Sequence, residues 1–265
     1  MPQYETLLYE KHDNGVAVVT LNRPDRMNTL GGTMKPDLTD VFGREMLFDR
    51  DIRCVILTGA GDKAFCAGAD IKERAGNRLP AAEYYAKQKA THDLTRLIET
   101  FERPVIGAIN GYALGGGMEI ALCADIRIAA DHAKFGLPEV NLGAFPAAGG
   151  TQRMPRLIGV PAAKELMFTG RHMDAAEALQ RGLVNQVVPM ADLMATARAL
   201  ADTIAAKPPL SVSFIKAAVN AGINVGIEEG LQYERLNAAI VLDSEDRTEG
   251  MKAFVEKRKP VFKGR

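Results

Sequence analysis

Five short apolar runs recur along the chain, at residues 15–21, 54–58, 104–109, 125–129 and 183–188, rich in Val and Ile and mostly continuous rather than alternating. A strand with one face in water alternates apolar and polar residues, so continuous runs call for strands covered on both faces. Helical stretches fill the intervals. Residues 81–101 have helical periodicity and stop at Glu102-Arg103-Pro104, where proline removes a donor and ends the helix. Residues 117–123 and 162–168 read as further helices. Alternating strands and helices predict a mostly parallel sheet, and hence an α/β fold.

The pattern changes near residue 191. Residues 191–206 read as helix, Lys207-Pro208-Pro209-Leu210 breaks it, and residues 211–257 are helix-compatible without a strand run. The expected organisation is a strand-rich core over 1–190 and a helical region over 191–265. A chain of 265 residues is long enough for a substantial core.

Several function classes fall away. Lys+Arg and Asp+Glu both number 33, so net charge gives no reason to expect binding to nucleic acid or an anionic membrane. No apolar run has the length of a membrane span, and the first fifteen residues carry no secretory h-region. Three widely spaced cysteines read as reduced thiols, so a cytoplasmic compartment is expected. The only serines, Ser211, Ser213 and Ser244, lie in the helical region outside any G-x-S-x-G, which argues against a serine hydrolase. His12, His92, His132 and His172 lack metal-ligand spacing, so no metal is expected. Gly59-Ala60-Gly61 follows a strand but lacks the third glycine of a dinucleotide fingerprint, and there is no P-loop. Cys66 has no local histidine and reads as a buried thiol.

Three segments remain. In Ala64-Phe-Cys-Ala-Gly-Ala-Asp-Ile-Lys72, the small residues Ala67, Gly68 and Ala69 allow close approach to the main chain. A tight turn without a ligand has the same look. Asn110-Gly-Tyr-Ala-Leu-Gly-Gly-Gly-Met-Glu119 runs from a strand into an apolar helix. Glycines are costly in a helix, but there they present bare N–H groups at the positive end of its dipole, a site for an oxyanion. Close packing of helix on sheet explains the glycines equally well. Glu119 stands in the first turn, either as a functional carboxylate or as a complement to the dipole. The third segment, Phe135-Gly-Leu-Pro-Glu139, followed by Phe145-Pro-Ala-Ala-Gly-Gly-Thr151, sets Glu139 among apolar and small residues. Partial burial there would raise its pKa and keep a proton available.

Together these segments resemble the crotonase superfamily, the enoyl-CoA hydratase/isomerase family. The likeness runs from Asn22-Arg-Pro24 to the C-terminus and includes Glu249-Gly-Met-Lys-Ala-Phe-Val-Glu-Lys-Arg258. It implies a crotonase-like spiral of ββα units, with C-terminal helices building a homotrimer or a hexamer of paired trimers. It places the oxyanion donors on the main-chain N–H groups of Ala69 and Gly116, and the acid/base pair on Glu119 and Glu139. It implies an acyl-CoA substrate, with coenzyme A as part of the substrate and no separate cofactor. Arg26, Ala67, Gly68, Asp70, Ile71, Gly115, Pro138 and Lys257 match substrate-binding positions, and Arg23 is a further candidate for CoA phosphate. Both glutamates together favour hydration of a 2-enoyl-CoA, with Glu119 activating water and Glu139 supplying the proton. The alternatives are 3,2-enoyl-CoA isomerisation, a methylglutaconyl-CoA-type hydration, or a CoA- or RNA-binding protein with incidental activity. One departure stands out: Pro146-Ala147-Ala148-Gly149-Gly150, where relatives often have glycine at the second position.

Overall fold

The computed structural model describes residues 3–76 and 79–265; residues 1–2 and 77–78 lie outside the described residues. In chain order the elements are β1 (Leu7–Lys11), β2 (Val16–Leu21), α1 (Met34–Asp40), β3 (Cys54–Gly59), β4 (Ala64–Cys66), α2 (Ile71–Arg74), α3 (Ala81–Glu99), β5 (Val105–Ile109), β6 (Tyr112–Leu114) and α4 (Gly116–Ala121). There follow β7 (Ile126–Ala130), β8 (Lys134–Gly136), α5 (Gly150–Ile158), α6 (Val160–Thr169), β9 (Met173–Asp174), α7 (Ala175–Gln180), β10 (Gln186–Val188), α8 (Leu193–Ala205), α9 (Pro209–Gly222), α10 (Ile227–Leu242) and α11 (Glu245–Val255).

Four of the continuous runs form the inner strands of a six-stranded sheet, ordered β1-β2-β3-β5-β7-β10, and the fifth gives its edge strand β10. Its pairs are parallel except β1 with β2, and the register sets Val55 beside Val105 and Ile106 beside Ile126. A second sheet, β4-β6-β8-β9, repeats the arrangement at smaller scale. The chain gives the first strand of each successive pair to the large sheet and the second to the small one: β3 then β4, β5 then β6, β7 then β8. It therefore advances as a spiral of ββα units, and the loops after β4, β6 and β8 come to lie side by side.

The main core includes Phe42, Leu57, Phe65, Ile109, Met118 and Phe135, all fully buried. Burying one such side chain contributes roughly 1.5–3 kcal/mol. Across the large sheet, Leu193, Ala197 and Ala201 of α8 close a second cluster with Ile56, Ile106 and Ile128. So α8, although past the expected boundary at residue 190, covers the core sheet. The chain then leaves the core through α9, which is pinned by a buried ion pair. Lys216 Nζ lies 2.7 Å from Asp125 Oδ2 and donates to the Arg103 carbonyl at 3.2 Å. Beyond it, Ile215, Val219 and Ile223 form an exposed stripe along α9 at helical spacing, 64, 56 and 65% exposed.

Candidate active site

Each loop at the meeting point is shaped by main-chain contacts that exclude side chains. Gly68 has φ +92°, and a Cβ there would lie 2.7 Å from the Leu114 carbonyl oxygen and 3.2 Å from the Gly116 nitrogen. A Cβ on Gly117 would drive into the Cys66 carbonyl. The loop after β4 and the start of α4 thus touch backbone to backbone, the close approach for which glycine is suited. The segment at 27–30 buttresses this contact: Ala67 N–H donates to Met27 O at 3.0 Å, and Leu30 N–H to Gly68 O at 2.7 Å. Asn28, buried and left-handed at φ +54°, donates to the carbonyls of Ala60 and Ala64. Among the described residues, neither Ala69 N–H nor Gly116 N–H donates to a protein acceptor. A Cβ on Gly116 would sit 4.0 Å from the Ala69 nitrogen, so the two residues are close neighbours.

Glu119 projects from the first turn of α4. It is only 3% exposed, and its Oε1 accepts from Ala148 N–H at 2.6 Å and Gly150 N–H at 2.8 Å. Its other oxygen carries no protein hydrogen bond among the described residues. Burial pushes the Glu119 carboxyl upward, against the amides of Gly150 and Ala148 and the charges of Arg153 and Lys35. Arg153 belongs to the same support: it forks onto Glu99 at 2.9 and 2.7 Å and donates to the Ala148 carbonyl at 3.1 Å.

Glu139 arrives on a 3-10 turn, Pro138–Leu142, which Pro138 opens. Its Oε1 faces Gly115, where a Cβ would stand 3.2 Å away, and Gly115 takes φ +53°. Its Oε2 is buried without a hydrogen-bond partner. Burial pushes this carboxyl up to about 7; its own backbone N–H works against the rise and the Glu119 charge adds to it. Two carboxyls therefore share one site in unlike surroundings, one held by two amides and one favouring its proton.

Of the residues singled out from sequence, Ala67, Gly68, Ala69, Gly115, Gly116, Glu119, Pro138 and Glu139 lie on the converging loops. Asp70 instead caps α2, accepting from Lys72 N–H and Glu73 N–H, and is 3.4 Å from Arg23. Arg23 also pairs with Glu73 at 2.8 Å, so its charge is matched within the chain. Ile71 is half exposed at the start of α2, and Arg26 lies 3.6 Å from Asp25. Lys257 is exposed in a left-handed turn after α11, φ +55°. The residues missed were Asn28, Ala148, Gly150 and Arg153. Asparagine's tolerance of a left-handed backbone was the one local signal for Asn28. The Gly149-Gly150 pair leads into α5, and nothing beside it in the sequence points to the carboxylate it holds. Ala147 is not among the left-handed residues, so glycine's freedom is not required there. A cavity of about 1050 Å³ lies between α3, α5 and α9, lined by Glu99, Arg153 and Asn220 among others, and neither glutamate of the site borders it. No cluster of His, Cys, Asp and Glu suited to a metal ion occurs among the described residues.

The family model described as enoyl-CoA hydratase/isomerase matches residues 11–265. The chain is 43% identical to a short-chain-enoyl-CoA hydratase of Clostridium acetobutylicum, over 97% of each chain. It is 42% identical to a crotonyl-CoA hydratase of Syntrophomonas wolfei, over 98% of each. The crystal structure of an enoyl-CoA hydratase from Bacillus anthracis superposes with a TM-score of 0.94 at 42% identity, covering 98% of this chain and all of that one. The spiral of ββα units, the glycine-built contact between its loops and these full-length similarities lead to one assignment: the chain belongs to the enoyl-CoA hydratase/isomerase family.

Proposed function

We propose that this protein adds water across the 2,3 double bond of a 2-enoyl-CoA thioester. The observation that carries the reading is the inequality of Glu119 and Glu139. Conjugate addition needs a base for the water attacking C3 and an acid for the α-carbon. Glu119, whose charge is supported by two amides and Arg153, takes the proton from water on its open oxygen. Glu139, pushed up to about 7, delivers its proton to the α-carbon. Negative charge that builds on the thioester oxygen is taken up by the N–H groups of Ala69 and Gly116, each worth about 3 kcal/mol of transition-state stabilisation. The addition leaves Glu119 protonated and Glu139 ionised, and passage of one proton from Glu119 to Glu139, directly or through water, returns the pair to its starting state. The names of the hydratase relatives support this chemistry.

The reading includes no cofactor beyond the CoA of the substrate. It includes a cytoplasmic location, in keeping with the absence of any helix long and apolar enough to cross a membrane among the described residues. It also includes a homotrimer, or a hexamer of paired trimers, with the exposed stripe of α9 and the bare Leu236 and Ile240 of α10 as candidate contacts. The test follows loss of crotonyl-CoA enoyl absorbance in wild type, Glu119→Gln and Glu139→Gln. Fast loss that collapses in both variants, with acyl-CoA binding retained, is the expected outcome. No turnover by a wild type that binds the thioester would overturn short-chain hydration and direct attention to branched substrates or isomerisation.

A further inference from the structure

Glu119 rests on a peptide group whose other end is held by a different helix. Gln88 and His92 stand four residues apart on α3 and so share a face. Nε2 of each lies 2.6 Å from the carbonyl oxygen of Ala147. A carbonyl oxygen accepts only, and it has two lone pairs, so both side chains act as donors and His92 carries its proton on Nε2. The same peptide unit ends in the Ala148 N–H that meets Glu119 Oε1. No peptide bond described is cis, and a planar trans unit has its N–H direction set once its oxygen is anchored.

The chain ahead of this peptide is exposed up to Pro146, which is itself buried, as is Ala148. Leu142 and Phe145 are each 68% exposed, and the backbone bonds of Gly143 and Ala144 lead back to Val140 and Glu139 in the preceding turn. Arg153 holds the next carbonyl, that of Ala148. The peptide between Ala147 and Ala148 is thus tied at its oxygen by α3 and at its nitrogen by the carboxylate. We propose that Gln88 and His92 are positioning residues that clamp the Ala147–Ala148 peptide and thereby hold its N–H on Glu119, acting through the main chain rather than on the reacting atoms.

The inference rests on Glu119 being the base of the reaction. Donors on the carbonyl also polarise the peptide and strengthen its N–H toward the carboxylate. Releasing the clamp weakens support for the ionised form, so the carboxyl titrates at higher pH. The charged and titratable groups that face Glu119 are Glu139 from the turn after β8, Arg153 from α5, Lys35 from α1 and Cys123 from the turn after α4. All stay unaltered when α3 is changed, as does Glu99, the partner of Arg153.

The test is the pH–rate profile of crotonyl-CoA hydration for wild type, Gln88→Met, His92→Leu, the double variant, His92→Gln and Glu119→Gln. In the double variant kcat is expected to fall about tenfold with KM nearly constant, the loss of one charge-assisted hydrogen bond. The acid limb of kcat/KM should move up by about one pH unit. Each single variant, keeping one donor, should move it part of the way and remain informative if the double variant folds poorly. His92→Gln, which keeps a donor, should restore the wild-type limb. An acid limb that stays put, with or without a fall in kcat, would overturn the clamp, as would a rise in KM at constant kcat. A fully active Glu119→Gln would overturn the reading of the site itself. An inactive Glu119→Gln beside clamp variants that behave as wild type would overturn the clamp alone.

Discussion

Replacing Glu139 by Gln keeps the shape of the side chain and removes its ability to ionise. Burial pushes this carboxyl from the ordinary 4.5 up to about 7, with one oxygen enclosed and unpartnered. Such a gap corresponds to about 3 kcal/mol of proton-linked free energy. The carboxyl keeps some contact with solvent, and discounting for screening leaves about 2 kcal/mol. Below 4.5 both the folded and the unfolded chain hold the proton, and its stabilising effect is complete. As pH rises toward 7 the unfolded chain gives the proton up first, so native stability falls across that window and levels off above it. The Gln variant lacks this fall. It should match wild type at about pH 4 and exceed it by about 2 kcal/mol at about pH 8. Glu119 pushes in the same direction, because it is eased when its neighbour is neutral. The assay is urea denaturation of both proteins at equal concentration, since assembly would shift apparent stability by mass action. A stability difference that is equal at the two pH values, or a variant weaker at high pH, would refute the buried-carboxyl argument.

Other outcomes follow from the same geometry. Gly117→Ala drives its Cβ into the Cys66 carbonyl and should cost about a hundredfold in hydration rate by displacing α4. Gly116→Ala meets only the tip of Leu30, 2.9 Å away, and should keep most of its activity in the same steady-state assay. Lys216→Met strands the buried Asp125 carboxylate and should cost about 3 kcal/mol in a denaturation experiment, with α9 the first helix to lose hydrogen-exchange protection. The basic limb of kcat/KM for crotonyl-CoA should bend near 7, where Glu139 loses the proton it donates.

The large sheet was legible because its inner strands are continuous runs of Val and Ile. The small sheet was not: Ala64–Cys66, Tyr112–Leu114 and Lys134–Gly136 are three residues each, too short to carry a period. β1 was passed over for a different reason. Leu7–Lys11 has mixed polarity and only Leu7 is buried, as an edge strand allows. In the site, each glutamate was marked by its own neighbours in sequence. The amides that hold Glu119 come from about thirty residues downstream, and only the fold brings them in. Arg23 read as a free cation for the same reason, because its partners Asp70 and Glu73 lie in another loop.

The backbone contact between the loop after β4 and the start of α4 has a consequence for mutational surveys. The two proposed oxyanion donors are amide groups, one on a residue that is already alanine and the other on a glycine whose added methyl would displace only the tip of Leu30. A scan by alanine would pass over Ala69 and score Gly116 as tolerant. The neighbours that only glycine can fill, Gly68 and Gly117, would carry the signal instead.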